Sequence, residues 1–112
     1  MKNDLVYIRH IIEAIEKIEK YLGGITTVEV FVVNDLVFDA VVRELEIVGE
    51  ASNKVSVEFQ NTHTQIPWRK MIGLRNVLIH EYFGINAKVV WETCQNDIQE
   101  VKKALISLDE LQ

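Results

Sequence analysis

Cysteine and proline are nearly absent from this sequence, since each occurs once in 112 residues. A single cysteine cannot form an internal disulfide, so we expect a protein of a reducing compartment such as the cytoplasm. No apolar run approaches the roughly 20 residues that a membrane span needs. Residues 1–4 lack the apolar core of a signal peptide, and we therefore expect neither membrane association nor export.

Several motifs of catalysis and metal binding are missing as well. The sequence has no Gly-rich phosphate loop and no Gly-x-Ser-x-Gly nucleophile turn. His10, His63 and Cys94 do not have the spacing of metal ligands, so we expect no metal ion and no cofactor. Cys94 falls on an apolar helical stripe, where we expect it to be a buried small hydrophobe.

Positive charges are outnumbered by negative ones, 12 to 17, and they are unevenly spread. The net charge of −5 argues against a protein that coats nucleic acid non-specifically. Residues 59–80, however, contain Arg69, Lys70 and Arg75 and no acid, so this segment carries +3 and the rest of the chain −8. A local positive site on an acidic body suits selective engagement of RNA or docking onto a basic partner. Charge alone does not choose between the two.

The apolar periodicity of the first half predicts helices. A stripe from Leu5 to Leu22 predicts a first helix that Gly23-Gly24 closes in a left-handed conformation. Residues 27–33 have strand propensity, but a capping box from Thr26 to Glu29 favours a short helix there. Residues 35 to about 56 predict a second long helix. Gly49 in its middle costs roughly 1 kcal/mol relative to alanine, which indicates a close helix approach.

The second half predicts two further long helices. Residues 60–66 are a polar connection, and Pro67 suits the first position of the third long helix. Gly84 is its expected stop, and Asn86 is the expected cap of the last helix. The predicted inner positions are Trp68, Met71, Leu74 and Leu78 on the third helix, and Val90, Cys94, Ile98, Val101, Leu105 and Leu108 on the last. The predicted fold is all-α: one domain over residues 1–112, an up-and-down bundle of four main helices and a short one.

Arg75, His80 and Tyr82 form an Arg-x4-His-x-Tyr string within the third long helix. A fixed cation, a group that titrates near neutral pH and a phenol suit chemistry on a phosphodiester. On a regular helix His80 lies about 140° around the axis from Arg75. The groups converge on one ligand if the helix unwinds near His80, or if a two-fold dimer supplies the missing group. The alternative is structural: a salt bridge at Arg75 and a helix C-cap at His80.

Glu46 and Glu50 are like charges four residues apart, an arrangement that mildly destabilises a helix. Arg43 and Lys54 are the local cations that would compensate for them. Arg75 on the neighbouring helix is the alternative, because a carboxylate would hold its guanidinium in place. The sequence slightly favours local compensation.

Four ordered segments resemble the HepT-like branch of the HEPN superfamily: residues 45–51 (LEIVGEA), 66–68 (IPW), 73–85 (GLRNVLIHEYFGI) and 90–91 (VW). The resemblance covers nearly the whole chain. It implies a small helical bundle that dimerises, with the Arg-x4-His motifs of two chains meeting in a cleft. Many such proteins are metal-independent ribonucleases and act as toxins in toxin–antitoxin pairs. The implied partner is a minimal nucleotidyltransferase antitoxin in a separate chain, which transfers AMP to the motif tyrosine, here Tyr82.

The resemblance and the side chains together suggest a type VII-like toxin that cleaves RNA by attack of the 2′-hydroxyl on the adjacent phosphorus. His80 would move the proton, and Arg75 would bind the phosphate oxygens. Asn76 and Glu50 are the expected supporting residues. The alternative is a non-catalytic helical subunit that binds a nucleotide or substrate for a nucleotidyltransferase complex. A degenerate helical dimer without activity is the third possibility.

Overall fold

The computed structural model describes residues 2–80 and 86–111, and leaves the side chains of residues 2, 76, 77, 79 and 80 undescribed. Every regular element in these ranges is helical, which confirms the predicted all-α class. In chain order the helices are α1 (Lys2–Tyr21), α2 (Val28–Val32), α3 (Asp35–Lys54), α4 (Val57–Thr62), α5 (Trp68–His80), α6 (Ala87–Glu92) and α7 (Ile98–Ile106). A π turn (Thr93–Asp97) joins α6 to α7, and a 3-10 turn (Asp109–Leu111) follows α7.

The four predicted main helices correspond to α1, α3, α5 and the run from α6 to α7. The predicted short helix over 27–33 is α2. A second short helix, α4, was not predicted. Its N-cap is Ser56, whose hydroxyl accepts a hydrogen bond from the Phe59 amide at 3.0 Å.

Three predictions about helix ends were wrong in detail. The α2 cap is Thr27, one residue after the predicted Thr26, and its hydroxyl accepts from the Val30 amide at 3.3 Å. Helix α1 ends before Gly23, but no glycine in the described ranges has a positive φ, so the closure is not left-handed. Pro67 precedes α5, and its carbonyl accepts from the Met71 amide at 3.2 Å. The predicted stop at Gly84 lies outside the described residues.

Helix α3 is central, because it packs against α1 on one side and α5 on the other. The predicted inner stripe of α5 and the apolar face of the last helix are buried in one core with α1 and α3. Val90, Cys94 and Ile98 repeat every four residues, which drifts by about 40° per step on a regular α-helix. The π turn is wider than an α turn, so it offsets this drift and keeps the three side chains inward.

The start of α1 is fastened to the corner between α3 and α4. Asp4 is 2% exposed, and its carboxylate accepts from the Ser56 amide at 2.8 Å and from the Ser56 hydroxyl at 2.7 Å. Burial raises the pKa of Asp4, but the hydrogen bonds from Ser56 lower it by more, and the net pKa lies below the usual 3.8.

None of the helices in the described ranges combines the length and apolarity of a membrane span.

We expect Asp4→Ala to lower the free energy of unfolding by about 1–3 kcal/mol at neutral pH, since it leaves two donors of Ser56 without their acceptor. The pKa of Asp4 is lowered by folding, so this stabilisation is present above pH 3.8 and is lost as the pH falls further. Urea unfolding at pH 7 and pH 3 measures the difference. Asp39→Ala, at an exposed aspartate of α3, is the control and should change little. Equal stability of Asp4→Ala and the unaltered protein at pH 7 would contradict this role.

Candidate active site

Arg75 lies on α5 at the border between its buried and its exposed side. Its neighbours Leu74 and Leu78 are buried, which fixes the backbone of this turn against the core. Arg75 itself is exposed. Among the residues that the structure describes, no carboxylate oxygen lies within 4.0 Å of its guanidinium nitrogens. The structural salt bridge considered as an alternative for Arg75 therefore has no partner there, and the guanidinium is free to meet a ligand.

The close helix approach predicted at Gly49 is confirmed, and it occurs at Arg75. A Cβ atom at Gly49 would lie 3.1 Å from the backbone nitrogen of Arg75, 3.3 Å from the Arg75 Cβ and 3.5 Å from the Met71 carbonyl oxygen. The first two distances are shorter than ordinary van der Waals contact, so a side chain at Gly49 would force the Arg75 backbone to shift by a few tenths of an ångström. Gly49 therefore sets the height and rotation at which α5 presents Arg75.

Glu46 and Glu50 are exposed on the outer side of α3. Neither carboxylate is within 4.0 Å of Arg75, nor of the local cations Arg43 and Lys54, so neither expected ion pair forms within the described residues. All four α3 side chains line one groove of about 470 Å³ between α1 and α3, together with Tyr7, His10, Ile47 and Ala51. The local cations thus share a groove with the carboxylates without touching them.

The other predicted site residues are described only in part. Asn76 and His80 belong to α5, which is helical through His80, but their side chains are outside the description. Tyr82 lies outside the described residues. An unbroken helix keeps positions 75 and 80 about 140° apart. Within one chain, α5 does not bring them together by unwinding before His80.

Two neighbouring cations of the acid-free segment differ in their contacts. Lys70 donates to Glu100 at 3.1 Å and lies 3.9 Å from Asp97, which ties α5 to the last helix. Arg69 is exposed and has no ion-pair partner among the described side chains. The sequence groups the two residues as one positive charge cluster, and only the fold separates them.

Cys94 is buried, as expected for a small hydrophobe in the last helix. Burial raises the pKa of its thiol to about 12, so the thiolate is scarce at neutral pH. Cys94 is therefore not a candidate nucleophile.

The chain is similar to a family model and to several known proteins. A family model described as "Ribonuclease HepT-like" matches residues 11–108. A "Putative RNase" of Caldanaerobacter subterraneus subsp. tengcongensis is 40% identical over 103 residues, which are 92% of this chain and 91% of that protein. A "Probable ribonuclease HepT" of Thermococcus cleftensis is 43% identical over 96 residues, 86% of each chain.

A longer protein also matches. The "Gamma-glutamylcyclotransferase and putative RNase" of Methanocaldococcus jannaschii is 35% identical over 111 residues, which are 98% of this chain and 50% of that protein. No solved structure matches the chain significantly.

We expect Gly49→Ala to reduce stability in spite of the better helix propensity of alanine. Overpacking costs about 1–3 kcal/mol, and the propensity gain returns only about 1 kcal/mol. Gly73→Ala is the matched control, because a Cβ atom there meets nothing within 4 Å and should stabilise α5. Urea unfolding of the two variants measures the contrast. A Gly49→Ala protein that is stabilised as much as Gly73→Ala would show that the helix contact is not tight.

Proposed function

From the premise that this chain belongs to the ribonuclease HepT-like family, and so is an endoribonuclease acting on RNA, we propose that it cuts RNA without a metal ion at a site built around Arg75 and His80. The observation that carries the proposal is the state of Arg75. It is an exposed guanidinium on a backbone position held by core packing and by Gly49, with no described carboxylate to neutralise it. Such a group binds phosphate oxygens through two parallel hydrogen bonds.

The reaction begins with attack of a ribose 2′-oxygen on the adjacent phosphorus. A bond forms between that oxygen and phosphorus, and the bond from phosphorus to the 5′-oxygen of the next nucleotide breaks. The products are a 2′,3′-cyclic phosphate and a 5′-hydroxyl. His80 moves the proton between the attacking and the leaving oxygen, a role that contributes typically ~10²–10⁴-fold in rate. Arg75 stabilises the charge that gathers on the phosphate oxygens in the transition state.

Two supporting residues complete the proposed site. Asn76 follows Arg75 directly and orients the phosphate or the imidazole. Glu50 is exposed on α3, next to Gly49 in sequence, and forms no ion pair with Arg75 among the described side chains of one chain. Its proposed support therefore acts on the assembled site.

The assembled site is a homodimer in this proposal. Arg75 and position 80 are separated by about 140° on a continuous helix, so one α5 points them in different directions. A two-fold axis beside α5 brings Arg75 of one protomer to His80 of the partner subunit. Two equivalent sites would then share one cleft.

We further propose that the chain is a cytoplasmic toxin controlled by a minimal nucleotidyltransferase antitoxin in a separate chain. The Tyr82 oxygen attacks the α-phosphorus of a nucleoside triphosphate, which forms a phosphodiester bond to AMP and releases pyrophosphate. The adenylate adds bulk and a negative charge beside the site, and both oppose the binding of RNA. The alternative of a non-catalytic binding subunit predicts no effect of the chain on its own.

Arg75→Ala and His80→Ala should each lose RNA cleavage by about 10²-fold or more, because each removes a transition-state contact. The assay is cleavage of total RNA in a buffer with chelator, and the expected 2′,3′-cyclic phosphate ends are detected by their resistance to direct ligation. Arg9→Ala, at an exposed arginine of α1, is the control and should cleave normally. Cleavage by either site variant at the unaltered rate would refute the assigned roles.

Growth of cells that express the chain alone tests the toxin proposal. Expression should arrest growth, His80→Ala should relieve the arrest, and co-expression of a minimal nucleotidyltransferase should relieve it with a mass gain of one adenylate per modified chain. Tyr82→Phe should remain toxic under co-expression, because phenylalanine has no acceptor oxygen. Normal growth with the unaltered chain would favour the binding subunit instead.

A further inference from the structure

A second groove, of about 590 Å³, lies between the α4–α5 connection and the first turns of α5. We call it the α5 groove. Its floor includes the buried side chains of Ile66 and Trp68, and its rim is polar. The lining residues are Gln60, Asn61, Thr64, Ile66, Trp68, Arg69, Ile72 and Gly73. A groove of this size accommodates a small part of a polymer.

The charge of the α5 groove differs from that of the α1–α3 groove. Its lining side chains include the cation of Arg69 and no carboxylate, although the chain as a whole carries −5. The α1–α3 groove is lined by the carboxylates of Glu46 and Glu50 and by the cations of Arg43 and Lys54, so its side-chain charges cancel. A polyanion is therefore favoured in the α5 groove over the α1–α3 groove.

The polar groups on the rim suit a nucleotide. Asn61 and Thr64 are exposed, and Gln60 donates its amide to the Val55 carbonyl at 3.0 Å, which leaves its side-chain oxygen as an acceptor. Amide and hydroxyl side chains bond the edges of unpaired bases and the ribose 2′-hydroxyl. Arg69 supplies the phosphate contact, since it is exposed and unpaired among the described side chains.

The wall of the α5 groove is held in place before any ligand binds. His63 lies 2.7 Å from Glu110, its ring stacks on Phe59 at 3.9 Å, and its carbonyl accepts from Trp68 Nε1 at 3.0 Å. These contacts fix the connection between α4 and α5. A preformed groove avoids part of the ordering cost of binding.

The groove is aligned with the proposed reaction centre. Arg69 precedes His80 by eleven residues on one continuous helix, which places the two positions within about 20° around the axis and about 16 Å apart along it. That distance corresponds to a few nucleotides of single-stranded RNA. Position 69 and position 80 therefore lie on one line along α5.

We propose that the α5 groove is a substrate subsite, which binds single-stranded RNA a few nucleotides away from the scissile linkage. Arg69 contacts a backbone phosphate, and Gln60, Asn61 and Thr64 contact the base or sugar beside it. The inference rests on the proposed ribonuclease function and extends it. With such a subsite, the enzyme prefers RNA strands that are long enough to reach both the α5 groove and the scissile linkage.

Arg69→Gln tests the subsite in two measurements. Binding of a ten-residue 2′-O-methyl RNA of mixed sequence, which cannot be cleaved, is followed by fluorescence anisotropy. The variant should bind it roughly tenfold more weakly, as expected for one lost charge-assisted hydrogen bond. The slope of log K against log salt should fall by about 0.7. In cleavage assays KM should rise for ten-residue RNAs, whereas a pool of ribodinucleotides should be cut as before.

Two further variants test whether weaker binding reflects the groove itself, and not general charge or a loss of folding. Lys70→Gln removes the same charge one residue away, but Lys70 is held by Glu100 and Asp97, so binding should change little. Gly73→Leu extends a side chain into the groove from a position where a Cβ atom meets nothing within 4 Å. It should weaken binding of the ten-residue RNA, and urea unfolding checks that the variant is folded.

The outcomes distinguish this subsite from the proposed function. If Arg69→Gln matches the unaltered protein on ten-residue RNA while His80→Ala is inactive, the subsite is refuted and the proposed function stands. Equal losses for Arg69→Gln and Lys70→Gln, or equal losses on dinucleotides and longer RNA, would also overturn the subsite. If the unaltered protein cuts neither substrate, the proposed function fails, and the anisotropy series alone decides whether the groove binds RNA.

Discussion

The contact between α3 and α5 at Gly49 is the constraint on which the candidate site depends. The backbone and Cβ of Arg75 lie against the bare face of Gly49, so the helix that carries the cation rests directly on the helix beside it. Interiors are packed densely enough that a single methyl group added at Gly49 would require a local shift of a few tenths of an ångström at Arg75. The Arg75 side chain is exposed, yet its position on the helix is fixed because its backbone packs against Gly49.

The charged side chains divide into those held in ion pairs and those without a partner. Acidic side chains on the last helix and on α1 pair with lysines: Glu100 with Lys70, and Glu19 with Lys102. Exposed pairs of this kind add little stability. These pairs also engage the carboxylates of Glu100 and Glu19 with lysines. Arg69 and Arg75 have no ion-pair partner in the described part of the chain. An acidic protein thereby keeps two arginines on α5 that are unpaired among the described side chains, about 120° apart around the helix axis.

Sequence periodicity predicted the helices well, because each long helix buries one continuous apolar stripe. It failed where a contact is distant in sequence. Helix α4 depends on a corner at Ser56 that Asp4 holds from 52 residues away, and no local pattern encodes that hydrogen bond. The sequence likewise treats Arg69 and Lys70 as equivalent, since only the position of the last helix distinguishes them. The structure describes the side chain of Arg75 but not those of Asn76, His80 and Tyr82, and the functional roles of all four remain predictions.

The burial of Cys94 has a practical consequence. With its thiol in the core and its pKa near 12, the only cysteine of the chain should ignore alkylating dyes under native conditions. A cysteine introduced at any exposed position would then be the single reactive handle. Spin labels or fluorophores attached there would report distances between copies of the molecule without first removing the native thiol.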